Sequence, residues 1–335
     1  MRKTLAKQWC AALLLVCALS PSAQAASQKL VPLGVPVGVR MTAAGVVVSA
    51  MTTVDSPAGE ICPGQQAGLE AGDILQAANG ETLSSSSQLA EIVKQSRGNP
   101  IRFTGLRGDT DISVSVQPVK SKTTGTYQIG ILVRDSMAGI GTLTYVDPES
   151  GEFGALGHPV SDIDSGALMP LETGSIVPAS VIGVVAGEAG TPGELVGTYE
   201  FSREIGQLNE NTACGIFGTL TDSSLYSAAY AVDTAEKEEI YTGKAEILLC
   251  VSGKTPEYYE IVIEKVAMNA VDGRSLTIRV TDPELLEKTG GIVPGMSGSP
   301  ILQDGKLVGA VTHVLVNNPA RGYGIFIENM LDAAE

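Results

Sequence analysis

Two serines and four glycines crowd into the twelve residues Gly290 to Ile301, GGIVPGMSGSPI. A serine hydroxyl attacks a carbonyl carbon when its Oγ is exposed beside a base and backbone N–H groups converge on the oxygen that becomes charged. Glycines flanking the serine permit that turn, because glycine adopts positive φ without a Cβ clash. Gly295-Met296-Ser297-Gly298-Ser299-Pro300 has this composition, which makes Ser297 a candidate nucleophile. A plain Gly/Ser/Pro turn between strands has it too. The base must come from two histidines. His158, in Leu156-Gly157-His158-Pro159, stands where an apolar segment gives way to a loop, a position suited to a catalytic base. His313, in Ala310-Val311-Thr312-His313-Val314, lies inside an apolar strand, sixteen residues beyond Ser297, and suits the wall of a substrate pocket. A carboxylate that orients the imidazole would complete the set. Asp162, Asp164 and Asp282 all remain open for that role on local spacing. A metal held by His158, Asp162 and Asp164 would lack the further His or Cys such sites use. No metal and no cofactor are expected.

The elements that must position these groups belong to an exported, mostly β chain. With 335 residues there is room for about two domains. A hydrophobic fraction of 44% with 18% charged residues describes a globular protein. Arg2, Lys3 and Lys7, the apolar run Ala11 to Leu19 and the small-x-small site Ala23-Gln24-Ala25 read as an export signal over residues 1–26, with an uncleaved anchor as the alternative. The net charge of −15 becomes more negative once that basic segment is removed, which argues against nucleic acid or anionic membrane as partners. Cys62, Cys214 and Cys250 remain in the body, without C-x-x-C spacing, so neither a zinc site nor a disulfide scaffold is indicated, though one pair could form.

Ala67-Gly68-Leu69-Glu70-Ala71-Gly72-Asp73-Ile74-Leu75, followed by Asn79-Gly80, is the strongest fold signal in the chain and resembles a PDZ domain. A short turn of helix ends at glycine, an apolar strand follows, and Asn-Gly supplies a tight hairpin turn. Leu89, Ile92 and Val93 then fall at helical spacing between Ser87 and Arg97, with Gly98 beyond the end. PDZ domains add an extended peptide C-terminus as a strand and hold its carboxylate on backbone N–H groups. The resemblance assigns that loop to Val37, Gly38 and Val39, which read equally as ordinary strand residues. The PDZ domain is expected over 27–120, ending at the polar stretch Lys120 to Gly125, with a second domain that carries the candidate nucleophile over 121–335.

Beyond residue 125 the chain is a series of short apolar strands between glycine turns, including a hairpin across Asp147-Pro148-Glu149-Ser150-Gly151. This spacing suits a sandwich or paired barrels. The serine segment also has the G-x-S-G-x-P form of the serine loop in chymotrypsin-like proteases. The expected fold is mainly β, a PDZ domain followed by a chymotrypsin-like double β-barrel.

The whole combination resembles the stage IV sporulation protein B peptidases, the S55-type serine peptidases of endospore-forming bacteria. The resemblance rests on Gly154-Ala155-Leu156-Gly157-His158, Glu287 to Val293, Gly295 to Pro300 and Gly309-Ala310-Val311-Thr312-His313-Val314. It implies Ser297 as nucleophile, His158 as base, Asp282 as the acid, a structural Ser299, and Gly295 and Ser297 N–H groups as the oxyanion hole. It also implies secretion from the forespore into the intermembrane space, self-cleavage near the N-terminus, and cleavage of an extracytoplasmic regulator of an intramembrane metalloprotease. That cut releases processing of the sigma-K precursor. The cleavable look of the Ala23-Gln24-Ala25 site leaves open whether signal peptidase or self-cleavage frees the protein. An HtrA-type quality-control protease, which normally has its protease domain first, and a non-catalytic secreted PDZ scaffold are the other two readings.

Overall fold

The computed structural model describes residues 28–270 and 273–334. The export signal lies outside the described residues. Two closed six-stranded antiparallel barrels carry the chain, with a PDZ module set into the first. The first barrel runs, neighbour to neighbour, through Lys29–Met51, Ile131–Val146, Glu152–Ala155, Gly215–Leu220, Gly206–Thr212 and Leu171–Val185, which pairs back with Lys29–Met51. The second comprises Gly243–Leu249, Glu257–Val266, Leu276–Val280, Arg321–Phe326, Lys306–Val314 and Pro300–Gln303. Period-two patterning builds it. Ala245, Ile247 and Leu249 point inward while Lys244 and Glu246 face water. Ile261 and Ile263, then Leu276, Ile278 and Val280, repeat the pattern and meet in one core. Each such fully buried aliphatic side chain contributes roughly 2 kcal/mol of transfer free energy.

Lys29–Met51 is 23 residues long and serves two bodies. Through Thr42 it pairs with Ile131–Val146 as a barrel stave; an irregularity follows, and from Val47 to Met51 the same two strands pair again inside the PDZ module. Val46 and Val47 there also pair with Ile74–Ala78, which leads on to Ile101–Arg107 and Thr110–Val116. Helix Ser86–Gln95 packs Leu89 and Val93 onto Val48, Leu75 and Phe103. Asn79 and Gly80, at φ 53° and 85°, make the expected hairpin turn. The PDZ module therefore sits between the first and second staves of the first barrel, and it draws strands from both sides of the expected boundary at 120.

This arrangement corrects the carboxylate loop. Val37, Gly38 and Val39 pair with Gly141, Ile140 and Gly139 on one side and with Pro178, Val177 and Ile176 on the other. A strand hydrogen-bonded along both edges has no free N–H row for a peptide terminus. The three residues are barrel wall.

Candidate active site

The serine loop is anchored at both ends before it turns. Helix Pro283–Thr289 delivers the chain, and Gly290 ends it in the left-handed region at φ 71°. Ile292, Val293 and Met296 are buried in the second-barrel core on either side of the exposed Pro294. Ser299 is fully buried and donates its hydroxyl to the Met296 carbonyl at 2.7 Å, a structural hydrogen bond. Gly298 sits at φ 95° with its N–H on the Val311 carbonyl at 2.8 Å. The loop then docks on the first barrel: Thr142 donates its N–H to the Ser297 carbonyl at 3.2 Å and its Oγ1 to the Gly295 carbonyl at 3.0 Å. Neither the Gly295 nor the Ser297 N–H donates to any described residue. Ser297 is left half-buried, with its Oγ donating to the Thr312 carbonyl at 2.8 Å.

His158 comes from the other barrel. Strand Glu152–Ala155 ends, Leu156 and Gly157 both take φ 70°, and the reversal brings the imidazole to the cleft between the barrels. Its Nδ1 lies 2.9 Å from the Pro159 carbonyl. A carbonyl only accepts, so Nδ1 carries the hydrogen and Nε2 keeps the lone pair a base needs. Burial pushes the imidazole below its ordinary value of 6.5, against the opposing pull of that hydrogen bond. The neutral, base-competent form is therefore held through neutral pH. The acid limb of activity should have its midpoint below pH 6.5, because activity is lost only as pH falls through the depressed value. A kcat/KM profile over pH 4.5 to 8 checks this, and a midpoint above 6.5 contradicts it.

Ser297, His158 and His313 line one cleft of about 910 Å³, whose remaining walls are largely apolar and include Met41, Ile140, Val160, Ile292 and Val314. His313 stands beside His158, with ring centroids 5.2 Å apart and planes tilted by 41°. No hydrogen bond joins Ser297 to His158; the hydroxyl is turned to Thr312.

The carboxylates are placed differently from expectation. Asp282 is the N-cap of helix Pro283–Thr289: Oδ1 accepts from the Glu284 and Leu285 N–H groups at 2.9 and 3.0 Å, and Oδ2 from the Glu260 N–H at 3.4 Å. The structure does not bring it to His158, and its oxygens are committed to backbone. Asp282→Ala should cost about 1 kcal/mol of stability through the lost cap, and should lower activity by loosening the helix that feeds the serine loop. Asp282→Asn, which caps as well, should restore both. A triad acid behaves otherwise, since the Asn form of such a residue loses about 10⁴ in rate. Thermal unfolding and kcat of the two variants separate the cases.

Asp162 is buried and accepts from Ser49 Oγ at 2.9 Å and from both the N–H and Oγ of Ser165 at 2.8 Å, with Arg134 Nη1 at 3.3 Å. Burial pushes its carboxyl up, but the hydrogen bonds from Ser165 and Ser49 and the Arg134 charge prevail and hold it below the usual range. Arg134 also pairs with Asp164 at 3.1 Å. Asn211 went unnoticed in the sequence. Its side chain receives the Val160 N–H and donates to the Val160 and Met169 carbonyls, clamping the loop just past His158. A lone Asn with remote partners leaves no local signature. Cys62 and Cys250, buried, and Cys214, half-buried, are free thiols.

A second groove of about 440 Å³ runs between helix Ser86–Gln95 and the start of strand Ile131–Val146, lined by Leu89, Val93, Lys94, Ile129, Ile131 and Val133. The strand pairs with Val47 to Met51 on its far edge; among the described residues no strand covers the edge facing the helix. At the groove's end Gly130 takes φ 74°, and the Ile129 and Gly130 N–H groups donate to no described residue. These are the features sought at Val37 to Val39, and they occur some ninety residues later in the chain.

Among solved structures the chain is similar to the PDZ domain of an SdrC-like protein from Listeria monocytogenes, at 23% identity over 27% of this chain and 86% of that one, with a TM-score of 0.22. It is also similar to the HtrA-type protease AlgW, solved with a decapeptide, at 14% identity over 60% of this chain and 52% of that one, with a TM-score of 0.36. It thus spans about half the length of that protease. The family model for the SpoIVB peptidase S55 matches residues 125–331, more than half of the chain and including the His158 turn and the serine loop. The chain belongs to the SpoIVB S55 family of serine peptidases.

Proposed function

We propose that Ser297 is the nucleophile and His158 its base, in an endopeptidase that cuts an extended protein segment laid in the cleft between the barrels. The observation that carries this reading is the convergence of Ser297 and the uncommitted Gly295 and Ser297 N–H groups, on the loop of the second barrel, with His158 from the first, its Nδ1 engaged by the Pro159 carbonyl. For reaction the Ser297 hydroxyl leaves the Thr312 carbonyl and turns to His158 Nε2, which takes its proton as Oγ bonds to the scissile carbonyl carbon. The Gly295 and Ser297 N–H groups receive the oxyanion, and His158 returns the proton to the departing amine. Water then repeats the sequence to release the acyl product. The apolar cleft walls favour uncharged side chains on both sides of the cut bond, with His313 at the pocket wall.

Family membership supports the biological setting. The protein is exported from the forespore, with or without a transient anchor, cleaves itself near its N-terminus, and cuts the extracytoplasmic part of a regulator of an intramembrane metalloprotease, leading to processing of the sigma-K precursor. The groove beside helix Ser86–Gln95 takes peptide C-termini as an added strand, their carboxylate meeting the Ile129 and Gly130 N–H groups. Purified protein and its Ser297→Ala form, incubated alone and with the regulator's extracytoplasmic segment, test this. New N-termini in both substrates, absent with Ser297→Ala, are expected; an intact regulator beside a self-cleaved enzyme would overturn the assigned substrate.

A further inference from the structure

Two adjacent residues on strand Ile131–Val146 hold two different working parts. Neighbours on an extended strand point to opposite faces, and Arg134 and Asp135 do so. Asp135 Oδ2 accepts the Ser86 N–H at 2.7 Å and the Ser86 hydroxyl at 2.8 Å, fixing the N-terminus of helix Ser86–Gln95, one wall of the peptide groove. Arg134 reaches the other way, to buried Asp162 at 3.3 Å and to Asp164 at 3.1 Å, in the loop that leaves His158. Ser49, on the PDZ half of the first strand, adds a second tie to Asp162 at 2.9 Å. The open strand edge of the groove, Ile131 to Val133, ends one residue before Arg134.

We propose that Arg134 and Asp135 form a relay through which a peptide in the groove sets the position of His158, with Asp162 as the positioning residue on the catalytic loop. This rests on the reading of His158 as the base of Ser297. A strand added between the helix and Ile131 to Val133 moves the helix against the strand edge, and Asp135 is tied to both. Any shift of the strand at Asp135 carries Arg134 with it. Asp162 cannot follow water instead, because it is buried and its carboxylate is shared among Ser49, Ser165 and Arg134. The loop that carries His158 therefore moves with the groove.

The test uses the full-length protein and the fact that it holds only two histidines. With ¹³C-labelled histidine, the His158 ring signal, assigned by His313→Asn, is followed while the peptide Gly-Ser-Gly-Tyr-Val-Val with a free carboxylate is added. Its affinity is read separately by fluorescence anisotropy. The expected result is a saturable His158 shift in the wild type, abolished in Arg134→Gln although the peptide still binds, and partly restored in Arg134→Lys, which keeps the charge but not the fork. The rate of Ser297 labelling by a fluorophosphonate should fall about tenfold in Arg134→Gln, since displacement of a base by a fraction of an ångström has effects of that order. A wild type that binds the peptide with no His158 shift, or an Arg134→Gln that shifts as the wild type does, overturns the relay. A normal shift with no labelling at Ser297 leaves the relay standing and removes the nucleophile.

Discussion

Ser297→Ala should lower peptide hydrolysis by about 10⁴ to 10⁶-fold, His158→Ala should do the same, and the double variant should be no slower than either. In the proposed mechanism nucleophile and base act as one unit: without the base the hydroxyl keeps its proton, and without the hydroxyl the base has nothing to activate. In that mechanism the residual rate would come from binding and from the Gly295 and Ser297 N–H groups, which both substitutions leave in place. Ser299→Ala is the control within the same loop. Its hydroxyl is fully buried on the Met296 carbonyl, so its loss should cost about 1 kcal/mol of stability and little activity. Single-turnover rates on one peptide substrate decide the matter. Additive losses in the double variant would mean that the two residues do not serve one step.

Gly298→Ala should damage both stability and activity, although it adds only one methyl group. A Cβ built on Gly298 would lie 2.2 Å from the Thr142 carbonyl oxygen and 2.5 Å from the Leu156 N, both backbone atoms that cannot rotate away, at φ 95° where side chains are strained. The contact is the seam where the serine loop of one barrel meets the hairpin that delivers His158 from the other. Relief requires the barrels to part, which would break the Thr142 hydrogen bonds to Ser297 and Gly295 and move the nucleophile from its base. Overpacking of this kind costs roughly 3 kcal/mol, and misplacement of the reacting groups by an ångström costs about 10²-fold in rate. Gly305→Ala provides the comparison: at φ 78° with nothing within 4 Å, it should cost about 1 kcal/mol and leave activity intact. Thermal unfolding and kcat of the pair would show whether crowding or backbone strain is responsible.

What was legible in the sequence was local. Asn79-Gly80 announces a hairpin because few other pairs accept two positive φ values, and the helix after it shows its apolar spacing at Leu89 and Val93. The serine loop and the glycine before His158 are likewise short-range signatures of chain reversal. The nesting of the PDZ module was not legible, because it depends on which of many apolar strands pair at long range. Nothing in Leu33 to Val39 distinguishes a groove loop from a barrel stave. Tyr127 to Ile131, which does form the groove's end, lay across the expected boundary. Asp282 carried a readable signal of its true engagement: Asp followed by Pro and Glu is a helix start, with proline at the first helical position and an acid in the first turn. The family resemblance implies a triad role for it instead. Asn211 acts through partners 42 and 51 residues away, so no window of sequence would have picked it out; Asp162 stood out only by its nearness to His158, and its tie to Ser49, 113 residues away, was not legible.

The most direct test of the account is to treat the folded protein with a fluorophosphonate, then map the modified peptide in the wild type and in Ser297→Ala and Ser299→Ala. Modification confined to Ser297, lost in the first variant and kept in the second, is the predicted result and would establish an activated serine in the cleft. Folded protein that remains unmodified with the groove peptide both absent and present, or modification that follows Ser299, would contradict it.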